Sequence, residues 1–249
     1  MKALLQAELI KLRTTRTFLA LTGAAIATSL LLTILIGALS DPETENDVLR
    51  DVFNSDTSGL FILILAMIGI TGEWRHRTIT SSLLAAPDRL KFIAAKTIAF
   101  AVAGLVLSVL IQIAIAISAY VVVTIRDLPT PDFADVLEQF ARNAGLAFLA
   151  GAFGVGLGAI IRNQVVAIVG LLIVAFAIEP ALIGLAPEVG RFGPFGALPA
   201  AAAGLEPEDV GMPQDVDLLP AGVAVLLLLA WIGAAFSIGY ATLVKRDLE

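Results

Sequence analysis

Thr17 to Leu39 reads TFLALTGAAIATSLLLTILIGAL, and no residue in it carries a charge. As a helix rising about 1.5 Å per residue its 23 residues span roughly 34 Å, enough to cross a hydrocarbon core of about 30 Å. Eleven of them are Leu, Ile or Phe, which at very roughly −0.5 kcal/mol each favour insertion by about 5 kcal/mol at most. The basic start (Lys2, Lys11, Arg13, Arg16) and the small residues around Ala38-Leu39-Ser40 imitate a cleavable signal. A signal's apolar core is only about 7–15 residues long, so this run is expected to remain as a first membrane helix.

Outward from that stretch the pattern repeats. Charge-poor runs cover about 57–72, 97–125, 143–161, 163–186 and 218–244, giving six expected spans. The chain has 249 residues, of which 58% are hydrophobic and only 15% charged, and its mean hydropathy is +0.93. A soluble domain is about 45–50% apolar and 25% charged, so soluble globular and disordered classes are excluded. The apolar runs are continuous rather than alternating, which excludes a membrane β-barrel. The expected fold is all-α: a polytopic membrane protein forming one permease-like domain over 1–249.

The charges sort by side. Segments 1–16, 73–96, 162 and 245–249 hold 12 of the 16 Lys and Arg with 5 acids. Segments 40–56, 126–142 and 187–217 hold 4 basic residues and 16 acids. The Lys/Arg bias places the first set in the cytoplasm, so both termini are expected there, with residues 1–16 as an interfacial elbow helix striped by Leu5, Leu9 and Leu12. This segregation gives the net charge of −6 no meaning as an average, and nothing in it suggests a nucleic-acid partner.

Much chemistry is absent. There is no cysteine, and the single histidine, His76, lies among arginines, so no zinc site of nitrogen or sulfur ligands can form and no metal is expected. No Gly-Lys dipeptide exists, which removes the phosphate-cradling loop of nucleotide-binding chains. Gly154-Val155-Gly156-Leu157-Gly158-Ala159 fits a loose dinucleotide pattern, but it lies mid-span without a preceding strand. Ala150, Gly154 and Gly158 recur every four residues and read as a helix-packing face. No catalytic residue and no cofactor of the chain itself is expected.

Two features carry function. The first is Glu73–Lys96, EWRHRTITSSLLAAPDRLKFIAAK, the longest basic segment between spans. Pro87 should end a short helix near Ala86, with Ile79, Leu83, Leu84 and Leu90 as apolar positions among the charges. Such a segment suits either docking in a partner's groove or anchoring on anionic lipid. The second is Glu179-Pro180 in the fifth span, roughly 22 Å up a straight helix from its basic end. A carboxylate near the bilayer core costs about 3 kcal/mol, and proline should kink or break the helix. Glu179 reads either as a surface acid or as part of a pathway or gate.

The 73–96 segment resembles the loop between the second and third helices of type-2 ATP-binding-cassette (ABC) permeases, a bacterial six-helix family. Glu73, Arg77-Thr78, the Leu83-Leu84 pair, Pro87, Arg89 and Lys96 occupy the family's places, with Arg75 beside them. Many members have Gly where Arg77 stands. The 179–199 stretch is similar to the family's broken fifth helix and re-entrant segment. The resemblance implies a permease subunit in the bacterial plasma membrane, working as a homodimer or with a similar permease. It also implies a separate ATPase subunit that carries ATP and Mg and pushes on the 73–96 loop, and an outer gate at Glu179 and Pro180. The connecting segments on the acidic side, 17, 17 and 31 residues long, leave no room for a substrate-binding domain and favour export. Two other readings stay open: a self-sufficient secondary transporter or channel using Glu179, and a non-transporting membrane scaffold.

Overall fold

The computed structural model describes residues 1–85, 88–161, 163–213 and 216–245. Among the described residues there are helices and turns and no strand, and six helical stretches are long and apolar enough to cross a membrane. The all-α, six-span expectation is met. Arg162 and Pro87, both singled out above, lie outside the described residues.

A short helix, α1 (Lys2–Thr14), comes first and turns Leu5, Leu9 and Leu12 onto the bundle. The extended residue Thr15 separates it from α2 (Arg16–Leu39). The second span is composite. Thr44 and Asp47 form a capping box for α3 (Glu45–Val48), a π-helical turn Leu49–Phe53 follows, and α4 (Ser58–Arg75) completes the crossing. After α5 (Ile79–Ala85), α6 (Arg89–Arg126) runs 38 residues, roughly 57 Å. It starts well before the expected border at Thr97, because Asp88 caps it by accepting the Lys91 N–H at 3.1 Å and the Lys96 charge is internally paired. The fourth span, α7 (Phe133–Ile160), likewise begins ahead of Asn143, capped by Asp132.

The fifth span absorbs Pro180 without breaking. It comprises α8 (Gln164–Ile173), a π-helical turn Val174–Ile178 and α9 (Glu179–Leu185). A proline removes one helical N–H and presses on the carbonyl four residues back, and the wider π turn relieves both. The chain then reverses through α10 (Pro187–Gly190) into the short buried helix α11 (Ala197–Ala203) and a 3-10 turn Pro207–Val210, before the last span, α12 (Ala221–Lys245).

Helix α7 is the hub, packing along α4, α6 and α12. Between membrane helices there is little hydrophobic drive, so association rests on close backbone approach at small residues. A methyl group at Gly154 would lie 2.5 Å from the Leu63 carbonyl oxygen, and one at Gly158 would lie 2.9 Å from the Met67 Cα, so this face is closed on α4. Ala150 packs into the same core. By contrast only 17%, 22% and 17% of the apolar windows of α2, α8–α9 and α12 are buried, so these three spans keep faces for lipid or another subunit.

Candidate functional site

At the basic end, α4 finishes in a tight hydrogen-bonded reversal. The Arg77 N–H reaches the Trp74 carbonyl at 3.2 Å and the Thr78 N–H reaches the Glu73 carbonyl at 2.9 Å. These are the two bonds of a Schellman motif, which demands a left-handed residue at its turn and normally uses glycine. Arg77 supplies it with φ of 56°. The turn thus has the shape that glycine would give, held by an arginine.

Beyond it Ile79 is buried against Phe92, with Leu4 of the elbow and Trp74 alongside. Arg75, Arg77, Thr78 and Leu84 are exposed, as is Leu90 at the start of α6. The Leu83 side chain lies outside what is described. Arg89 is half-buried and donates to the carbonyls of Leu243 and Val244, the latter at 2.9 Å, capping the end of α12 with a cation where a helix dipole favours one.

Beneath this surface four charges close into one cluster. The Lys96 ammonium, almost wholly buried, lies 2.7 Å from Glu8 and 2.7 Å from Glu73, and donates to the Gly69 carbonyl at 3.3 Å. Lys11 completes the set at 2.8 Å from Glu8 and 3.2 Å from Glu73. Two cations and two anions balance, which is what lets Glu8, Glu73 and Lys96 lie out of water while Lys11 stays half-exposed at the edge. Burial pushes the Glu8 carboxyl up, but Lys96 and the hydrogen bonds from Lys11 and Lys96 outweigh it and hold it below its ordinary value. Burial pulls the Lys11 ammonium down, yet Glu8 and Glu73 hold it above its ordinary value. The elbow, the end of α4 and the start of α6 are thereby one body.

At the acidic end Glu179 is buried, and its carboxylate accepts backbone N–H groups of Phe195 at 3.0 Å, Gly196 at 2.7 Å and Ala197 at 3.1 Å. Those are the orphan donors at the start of α11, so Glu179 caps that helix across the reversal. The cap sets the Phe195 ring against Phe153, with centroids 5.6 Å apart and planes at 25°. Arg142 closes the other end of α11, donating to the Ala203 carbonyl at 3.4 Å.

Residues 4–180 match the family described as ABC-2 family transporter protein, a stretch running from the elbow through Glu179-Pro180. The chain belongs to the ABC-2 transporter family. Among curated proteins none matches it. It is a multi-pass membrane protein of the ABC permease type.

Within this ABC-2 protein the seven loop residues whose side chains are described divide by environment. Glu73 and Lys96 are internal fasteners, Arg89 is a helix cap, and Arg75, Arg77, Thr78 and Leu84 face outward. Arg75 also donates to Gln164 at 3.4 Å, tying the loop to the start of α8. Two functional residues escape a reading of the sequence. Glu8 looks like an ordinary acid on a weakly striped helix, and only the fold shows its partner 88 residues away. Asp56 looks like the end of an acidic segment, yet it receives the Ser108 hydroxyl of α6, and Ser108 in turn receives the Gln112 amide. The available signal was Gln112, a long polar side chain inside a span.

Proposed function

We propose that this chain is the membrane-spanning subunit of an ABC exporter in the bacterial plasma membrane. Two six-helix bundles, identical or similar, work with two separate ATPase subunits that bind ATP and Mg. The basic end faces the cytoplasm, as its excess of Lys and Arg supports. One observation carries the reading: Arg77, Leu84 and Leu90 are exposed along a segment whose two ends are held by the Glu8–Lys96–Glu73–Lys11 cluster. A push on α5 meets a body that includes the elbow and two spans, so displacement passes into the bundle. The turn capped by Glu179 closes the opposite end as the outer gate.

The test is co-expression with the cognate ATPase. Wild type co-elutes with it and stimulates its hydrolysis of ATP. The double variant Arg77→Glu, Leu84→Asp inserts normally but loses stimulation by about tenfold, as loss of interface anchors worth over 1 kcal/mol requires. Full stimulation by the variant, or absence of co-elution in wild type, defeats the proposal. A lone-chain transporter using Glu179 would need a carboxylate free to exchange ions, whereas three N–H donors occupy this one. Gradient-driven flux through the isolated chain in liposomes would reinstate it.

A further inference from the structure

The acidic half of the bundle holds a cleft of about 330 Å³ between α4, α7, α12, the π turn of the fifth span and the reversing segment. Leu63, Phe153, Phe195, Leu228 and Ile232 make its wall apolar, and Asp56 is the one charged side chain on that wall among the described residues. Asp56 Oδ1 accepts the Ser58 N–H at 2.8 Å, and Oδ2 accepts the Ser108 hydroxyl at 2.5 Å. Both donors are neutral. Among the described residues no Lys, Arg or His forms an ion pair with it.

The fold treats its buried acids differently from this half-buried one. Glu8 and Glu73 each hold a lysine, and Glu179 holds three backbone donors. The turn at Asp56 does not require its charge, because asparagine or serine accepts the same N–H without one. A carboxylate without a counter-ion beside an apolar cleft is unfavourable, and a ligand cation removes that penalty. The stacked rings of Phe153 and Phe195 offer π faces that attract the same charge. The volume matches the lower end of small-molecule pockets, about 300–1,000 Å³.

We propose that this cleft binds an organic monocation with an apolar body, paired to Asp56, and that such molecules are the substrate class. The word substrate rests on the permease reading; the binding itself is a property of this chain alone.

The experiment titrates the purified chain in detergent with tetraphenylphosphonium and with tetraphenylborate, which share a shape and differ in the sign of charge. Wild type should bind the cation saturably. Asp56→Asn, which keeps the Ser58 contact, should weaken cation binding by at least about tenfold and leave the anion no weaker. Ile232→Trp, which fills the cleft from α12, should weaken cation binding while Asp56 is intact, so the outcome does not hang on one variant. Unsaturable cation binding, equal affinity in Asp56→Asn, or full binding in Ile232→Trp overturns the site. Co-elution with the ATPase is scored separately, so a failed permease reading and a failed cation site give different results.

Discussion

Replacing Lys96 with methionine removes one charge while keeping most of the side chain's length and apolar stem. The loss falls on two acids at once, since Lys96 is 2.7 Å from both Glu8 and Glu73. Only Lys11 is left to face them, and its side chain is 51% exposed. Glu73 Oε2 is already without a hydrogen-bond partner. Breaking a buried ion pair from one side costs about 3–5 kcal/mol, whereas Lys11→Met removes a half-solvated partner and should cost about 0.5–1 kcal/mol. Thermal unfolding in detergent measures the difference, and hydrogen exchange over residues 2–14 reports whether α1 comes free. In the double variant Glu8→Gln, Lys96→Met the orphaned charge is gone, and part of the stability returns. Equal losses from the two lysine variants, or unchanged exchange in α1, would show that the cluster does not hold the elbow.

The same cluster predicts a pH response with a definite sign. Glu8 is held below its ordinary 4.5, so its contribution is complete above that value and disappears as pH falls through the lowered one. Lys11 is held above its ordinary 10.5, so its contribution is complete below that value and disappears as pH rises past the raised one. Protection of α1, taken as the intrinsic exchange rate at each pH over the observed one, should therefore fall on acidification below 4.5 in wild type, and Glu8→Gln should flatten that limb.

Two further substitutions test single turns. Arg77→Gly relieves a left-handed φ of 56° and should raise stability by about 0.5–1 kcal/mol, and Arg77→Val should lower it; melting midpoints in the reverse order would refute the Schellman reading. Glu179→Ala strips three backbone donors of their acceptor, at about 1–3 kcal/mol for each that stays buried and unpaired, whereas Glu179→Gln keeps one oxygen and loses less. Exchange at residues 195–197 should rise in that order, and a silent Glu179→Ala would remove the capping role.

The spans were legible because bilayer thickness imposes a length that charge-free runs reveal directly. Their limits were not, and Lys96 shows why. A lysine after an apolar gap reads as a membrane border, but here Glu8 and Glu73 neutralise it, so α6 runs through it from Arg89. The Pro180 kink was legible as chemistry, while its outcome, a π turn within a continuous span, depends on what the neighbouring turns tolerate. Glu179 was visible as an anomalous acid, and its reach to the backbone of 195–197 was not, since a cap formed across a chain reversal leaves no local spacing. The loop motif mixes residues that face outward with residues that fasten the interior, because burial is not a property of a motif.

Helix α4 joins the two ends of this arrangement. Glu73, in its last turn, belongs to the charged cluster, and Ser58, its first residue, lies beside Asp56 on the wall of the cleft. Between them Gly154 and Gly158 of α7 close on its backbone at Leu63 and Met67, leaving no slack for a local bend. On the proposed topology, a push delivered to α5 has two outcomes: the cluster breaks, at about 3–5 kcal/mol, or α4 and α7 shift together. The second is less costly unless packing elsewhere resists by more, and it displaces Leu63 and Phe153, two residues of the cleft wall, the latter stacked on Phe195. Coupling between the loop and the cleft therefore depends on the cluster being stronger than the Phe153–Phe195 stack. Aromatic pairs contribute about 0.5–1.5 kcal/mol beyond area burial, so the stack yields first, and a cation bound at Asp56 would lose one wall of its site before the elbow lets go.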